Sequence, residues 1–461
     1  MSKLDSTDVQ GFALRGYNFP LARFLFLRIP NARNGREFIA RLVEHVETGE
    51  LWVEGKPHTT VSVAFTYAGM AVLDLPQASL QTFPVEFVQG MKARAGILGD
   101  TGKNAPDRWD DVWRQNPVHA WLGVYAQSAP ELEEKCGEIK ALAEATDGAQ
   151  VIGSQEAAAL VIDGKISRKE HFGYTDGFGN PDYQGVNRDT QPGQGKLSPD
   201  GKSWLPLATG ELLLGYADEA GELPAAPVPH LLARNGTFMV YRKLHQNVAA
   251  FRTYMREKGE LYPGGEKKLK AKFVGRWPDG TPLELSPNHE DPAVVADKNK
   301  NVNFTYANDL DGARCPFSAH IRRANPRDAF GFTGRLANRR RIARRGITYG
   351  AYAPDSEPVD DAERGVIFMA LNASIFRQFE FVQQQWIEYG NDARQGNDKD
   401  ALLGNHEGAG KFMIQGSEDA ANPPFLCARL PNFVELRGGD YFFMPSITTL
   451  RMIAAGTVDP R

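Results

Sequence analysis

A similar strand–helix rhythm occurs in both halves of this chain, and that repetition constrains the fold more than any single residue does. Residues 23–29 read as a strand. Residues 35–47 read as an amphipathic helix with Phe38, Ile39, Leu42 and Val46 on one face. Residues 60–67 place Val61, Val63 and Phe65 on one side, as a half-buried strand does. Residues 120–126 are expected as a strand and 130–145 as a helix. The rhythm returns in the second half. Strands are expected at 212–216, 237–242 and 365–371, and helices at 246–258 and 373–389. Alternation of this kind predicts helices packed on β-sheet, so the expectation is an α+β fold built from two similar units. The stretch 188–203, rich in Gly, Pro, Gln and Lys, is the expected boundary, giving halves at 1–205 and 206–461. Residues 262–311 are polar and turn-rich, and loops of that length inside a compact domain usually serve function or motion.

Composition excludes several classes of function. The 461 residues carry a net charge of −4, which gives no field favouring nucleic acid or an anionic membrane. No apolar run is long enough to span a bilayer. The first residues lack a basic stretch followed by an apolar core, so a cytoplasmic location is expected. Three widely spaced cysteines, Cys136, Cys315 and Cys427, form neither a disulfide framework nor a CxxC metal site. The sequons at Asn235, Asn303 and Asn372 are read as chance in that setting.

Three short segments carry chemistry. The first is Cys315-Pro316-Phe317-Ser318-Ala319-His320-Ile321-Arg322, with Arg327 soon after. A neutral imidazole holds iron or zinc well, and arginine forks match the carboxylates of a bound cofactor. On residues alone His320 reads either as a buried histidine bonded to a backbone carbonyl or as such a ligand. No other nearby His, Cys or carboxylate has zinc-ligand spacing. The second segment is Gly173-Tyr174-Thr175-Asp176-Gly177. Asp176 is either a turn aspartate or a carboxylate held over a reactive centre for proton transfer. The third is Arg344-Arg345-Gly346, which closes a basic run and enters an apolar strand. Gly404 to Lys411 lacks the spacing of a phosphate loop, with Asn405 and Phe412 in the wrong places.

With these segments in this order the chain resembles the dye-decolorizing peroxidases, haem enzymes made of two ferredoxin-like α+β halves. The resemblance rests on Gly173 to Gly177, on Ala319-His320-Ile321-Arg322 followed by Asn325-Pro326-Arg327, and on Arg344-Arg345-Gly346 followed by Tyr349-Gly350. It implies one haem b per chain, held mainly by the C-terminal half, with His320 as the iron ligand. It implies Asp176 as the group that moves a proton of hydrogen peroxide, and Arg344 as the cation that stabilises charge as the O–O bond breaks. Arg322 and Arg327 are the expected partners of the haem carboxylates. Val366 and Phe368 are expected to line the pocket, and read equally well as strand core. The carboxylate partner of His320 is expected in residues 396–404, as Asp400, with Asp398 the alternative. Dyes, phenols or similar aromatic donors are the implied reductants, and surface Trp or Tyr would relay electrons from donors too bulky to enter. Two other readings stand beside this one: a protein that binds haem or releases its iron without peroxidase turnover, and a two-domain binding protein without haem.

Overall fold

The computed structural model describes residues 4–115, 117–187, 189–331, 334–355, 362–416 and 423–459. In the N-terminal half, strand β1 (Leu21–Arg28), helix α1 (Ala32–Leu42), strands β2 (Thr59–Phe65) and β3 (Ala120–Ala126), helix α2 (Ala129–Thr146) and strand β4 (Gln150–Ala158) follow one another. The side chain of Asn31 caps α1 by accepting from the Asn34 amide. Phe38, Ile39 and Leu42 recur at helical spacing and are buried. The strands lie in the order β2-β3-β1-β4, all antiparallel.

The C-terminal half repeats the plan. Strand β5 (Thr237–Gln246) leads through helices α3 (Val248–Leu261) and α4 (Gly265–Val274) to a short helix α5 (His320–Ala324). The edge strands β6 (Ala343–Arg344) and β7 (Ile347–Tyr349) then precede β8 (Gly365–Asn372), the helical stretch α6 (residues 375–387) and β9 (Val434–Met444). Here the order is β9-β5-β8, with β6 and β7 both on the outer side of β8. Each half therefore carries the 4-1-3-2 strand order of a ferredoxin-like unit. The two units form one nine-stranded sheet, joined by a single residue pair, Phe443 with Phe65. At the far edges, Thr348 of β7 donates to the Ala158 carbonyl of β4. The sheet thus curls on itself, and aromatics from both halves meet inside. Tyr241 lies 5.5 Å from Phe26 and 6.1 Å from Phe24, ring centre to ring centre.

Three expectations differ from what forms. Residues 212–216 are not a strand. Leu212, Leu213 and Leu214 are fully buried, but the chain turns there, with the Leu212 and Leu213 amides both donating to the Thr209 carbonyl. A short buried apolar run looks the same in a turn as in a core strand. Residues 373–389 are helical but widened, with π-type turns over Ile375–Glu380 and Val382–Ile387. The stretch 262–311 is not all loop, because it contains α4. There Leu269 and Phe273, four apart, are buried beneath a row of lysines that masks the helical pattern. The boundary expected at 205–206 falls within the irregular connection between β4 and β5. Among the described residues no helix is long and apolar enough to cross a membrane.

Candidate active site

The outer face of the C-terminal sheet opens onto a cavity of about 320 Å³, within the range of ligand and cofactor pockets. Leu244, Val366 and Phe368 form its sheet wall, and Phe379, Val382 and Ile387 of α6 face them. Phe172, Phe178 and Phe304 add aromatic surface. Among the described residues, no lining residue comes from the first 169 of the chain.

His320 lines one wall at the start of α5. Its Nδ1 is 3.0 Å from Asp400 Oδ2. Asp400 is fully buried, and its other oxygen accepts from the Leu402 and Leu403 amides at 2.9 and 2.8 Å. Burial pushes the Asp400 carboxyl up, but the His320 charge and these hydrogen bonds outweigh it and hold it below the usual range. Burial likewise pushes His320 down, and the Asp400 charge and hydrogen bond overcome it and raise the imidazole. A carboxylate on Nδ1 fixes the tautomer and leaves Nε2 as the basic nitrogen. Asp398 sits elsewhere: its backbone carbonyl accepts from Arg323, and its carboxylate is 3.5 Å from Lys411.

Asp176 and Arg344 meet at 3.0 Å on the same cavity. Their charges act on His320 and oppose each other there. Just over half of the Asp176 side chain is exposed, and that exposed part faces the cavity. Burial raises its carboxyl; the Arg344 guanidinium and the Gly177 amide outweigh that, so it stays below the ordinary carboxylate range. The loop that presents Asp176 is an arginine-reading turn. The carbonyls of Gly177, Phe178 and Gly179 accept in succession from Arg168, Arg344 and Arg341. Gly177 and Gly179 have φ of 90° and 76°, a region that favours glycine, and this splays the three carbonyls toward different donors. Upstream, Glu170 folds its carboxylate onto the Phe172 and Tyr174 amides, both at 2.9 Å. Burial lifts that carboxyl to about 7.

Arg322 is turned away from the cavity, so its expected contact with a cofactor is corrected. It is buried against Asp309, donating to the carboxylate at 2.7 Å and to the Cys315 carbonyl at 2.6 Å. Two residues along a helix is about 200° of rotation, so His320 and Arg322 face opposite ways. Arg327 does line the cavity. It stacks on Phe304 at 4.0 Å and donates to the Val302 and Phe304 carbonyls. Arg276, Arg340 and Arg341 line it too. Among the described residues none of these four guanidiniums has a carboxylate partner. Burial, reinforced by neighbouring arginine charge, lowers Arg276 to about 9 and Arg340 and Arg341 to about 10. Sequence reasoning missed Arg340, Arg341 and Glu170. Only Glu170 had a readable signal, its place directly before the Gly173 motif.

These features fit a haem. The apolar walls suit a macrocycle, Nε2 of His320 suits iron, and buried cations without carboxylates suit a cofactor that brings its own. Fold and site together define an α+β protein with a histidine–aspartate pair and an aspartate–arginine pair on a shared cavity, the equipment of a haem peroxidase. Comparison with known proteins agrees. Residues 8–156 match the family described as "DyP dimeric alpha+beta barrel domain". The chain is 30% identical to the multifunctional dye peroxidase DyP2 of an Amycolatopsis species, covering 93% of this chain and 91% of that one. It is 29% identical to the dye-decolorizing peroxidase msp1 of Mycetinis scorodonius, over 98% of this chain and 88% of the relative. Its fold superposes on an ancestral D-type dye-decolorizing peroxidase with a TM-score of 0.83 at 27% identity, covering 98% and 99% of the two chains. A dye-decolorizing peroxidase in complex with 2,6-dimethoxyphenol gives 0.83 at 25% identity, covering 98% and 100%. This chain belongs to the dye-decolorizing peroxidase family and is a haem peroxidase of that type.

Proposed function

We propose that this chain binds one haem b through Nε2 of His320 and uses hydrogen peroxide to oxidise dyes, phenols and similar one-electron donors. The observation that carries the reading is the pairing of His320–Asp400 with Asp176–Arg344 on a single cavity. When bound, haem supplies the two-electron reaction with peroxide and the one-electron steps that return it to rest. Asp400 holds the His320 ring and keeps Nδ1 engaged. Arg327, Arg340, Arg341 and Arg276 are the available partners for the haem carboxylates. Asp176, kept ionised by Arg344, takes the proton from the near oxygen of peroxide and returns it to the far oxygen. Arg344 holds the charge that develops on the departing oxygen. Val366 and Phe368 limit the space beside these groups and keep water out.

An absorption spectrum before and after stoichiometric peroxide tests this reading. A Soret band that shifts with peroxide in the parent, and is weak or absent in His320→Ala after haem supplementation, is the expected result. No Soret band in the supplemented parent overturns it. A Soret band that peroxide leaves unchanged would instead favour haem storage or iron release, a reading that family membership disfavours. The proposal extends to the cytoplasm, supported by three buried and unpaired cysteines. Recovery of the chain outside the cell on fractionation would refute that placement.

A further inference from the structure

We infer that Asn180 is a positioning residue for Arg344. Arg344 lies on β6, at the open edge of the sheet. The Arg345 amide points inward and donates to Met369 of β8 at 2.8 Å. Consecutive strand residues alternate direction, so the amide and carbonyl of Arg344 point outward, where a further strand would pair. The Asn180 side chain takes that strand's place. Its Oδ1 accepts from the Arg344 amide at 2.9 Å, and its Nδ2 donates to the Arg344 carbonyl at 3.2 Å. The orientation of the amide group follows from chemistry, because a backbone N–H requires an acceptor.

One loop therefore grips Arg344 at both ends. Asn180 fixes the backbone, and the Phe178 carbonyl takes Nη2 at 2.7 Å. Asp176, on the same loop, receives Nη1. Phe178 is itself held, with the Arg168 and Arg276 guanidiniums each 5.0 Å from its ring centre. Asn180 touches none of the reacting atoms. It sets where the guanidinium begins, and a displacement of about 1 Å at a reacting group costs about a hundredfold in rate.

This inference rests on the role proposed for Arg344, and the experiment separates the two. Haem-loaded parent, Asn180→Ala, Arg344→Leu and the double variant are mixed with peroxide in a stopped-flow spectrometer. Fluoride affinity of the resting proteins is titrated as a second readout. Asn180→Ala is expected to slow the peroxide reaction roughly ten- to a hundredfold and to weaken fluoride binding. Thermal midpoint and haem content should stay near the parent's. In the Arg344→Leu background the same change should add nothing, because Asn180 acts through Arg344. Parent-like peroxide and fluoride behaviour in Asn180→Ala overturns the inference. So does an equal loss with and without Arg344. If Arg344→Leu itself reacts at the parent rate, the functional reading fails instead. Should Asn180→Ala not fold, Asn180→Asp keeps the acceptor and removes the donor, and the same criteria apply to it.

Discussion

Replacing Arg344 by leucine should move the acid limit of the peroxide reaction to higher pH as well as slow it. Asp176 works as a base only while ionised. In the parent its carboxyl lies below the usual value because Arg344, with the Gly177 amide, outweighs the effect of burial. The ionised form therefore persists above that lowered value and is lost as pH falls through it. The nitrogen–oxygen separation is 3.0 Å, and both side chains are partly open to the cavity. Even with water-like screening, two unit charges at that distance attract by about 1.4 kcal/mol, roughly one pKa unit. Removing the cation forfeits at least this much and leaves only the Gly177 amide and the His320 charge to oppose burial, so the carboxyl should rise by about one unit or more. The assay is the second-order rate with peroxide, followed by stopped flow between about pH 3 and 7, a span chosen to bracket ordinary carboxylates. Arg344→Lys, which keeps the charge, should hold its acid limit closer to the parent's. An acid limit at the same pH in parent and Arg344→Leu would refute the coupling of Asp176 to Arg344.

Two more substitutions probe the opposite wall and the corrected arginine. Asp400→Asn should keep haem bound but weaken the basicity of His320, raising the iron reduction potential in spectroelectrochemistry by tens of millivolts or more; an unchanged potential would remove Asp400 from that role. Arg322→Ala strands the buried Asp309 carboxylate, so it should lower stability by about 3–5 kcal/mol in denaturant melts, whereas Arg327→Ala should act mainly on haem affinity.

The sequence makes the site's anchors legible because each sits in a short motif whose residue types have few other uses together. His320, Asp176 and Arg344 lie about 24 to 168 positions apart along the chain, yet all three line one cavity. The arginines were harder to read. A run of six between 335 and 345 gives no sign of which guanidiniums turn inward, since that depends on local helix phase and edge geometry. Helical phase would have excluded Arg322, and it joins His320 and Ala324, four apart, on the cavity side, whereas Arg327 lies past the end of α5 and reaches the cavity from the turn that follows, with φ of 52°. The widening of α6 has no local sequence signature, because it answers to what the helix packs against. Asn180 had a faint one, a polar residue between Gly179 and Pro181 just past the Asp176 motif.

The cavity lies on the outside of the C-terminal sheet, apart from the aromatic interior that the two halves share. Helices α1 and α2 already cover the N-terminal sheet, and Tyr241, Phe24, Phe26 and Trp121 complete the interior from protein alone. On this layout, assembly of the polypeptide and acquisition of its cofactor are expected to be separable events. The chain is expected to reach its folded form on its own and to be charged with haem afterwards. Apoprotein with the far-ultraviolet dichroism of the loaded enzyme, taking up haem without denaturant, is the expected behaviour. Nothing in the shared interior has to open for the cofactor to enter.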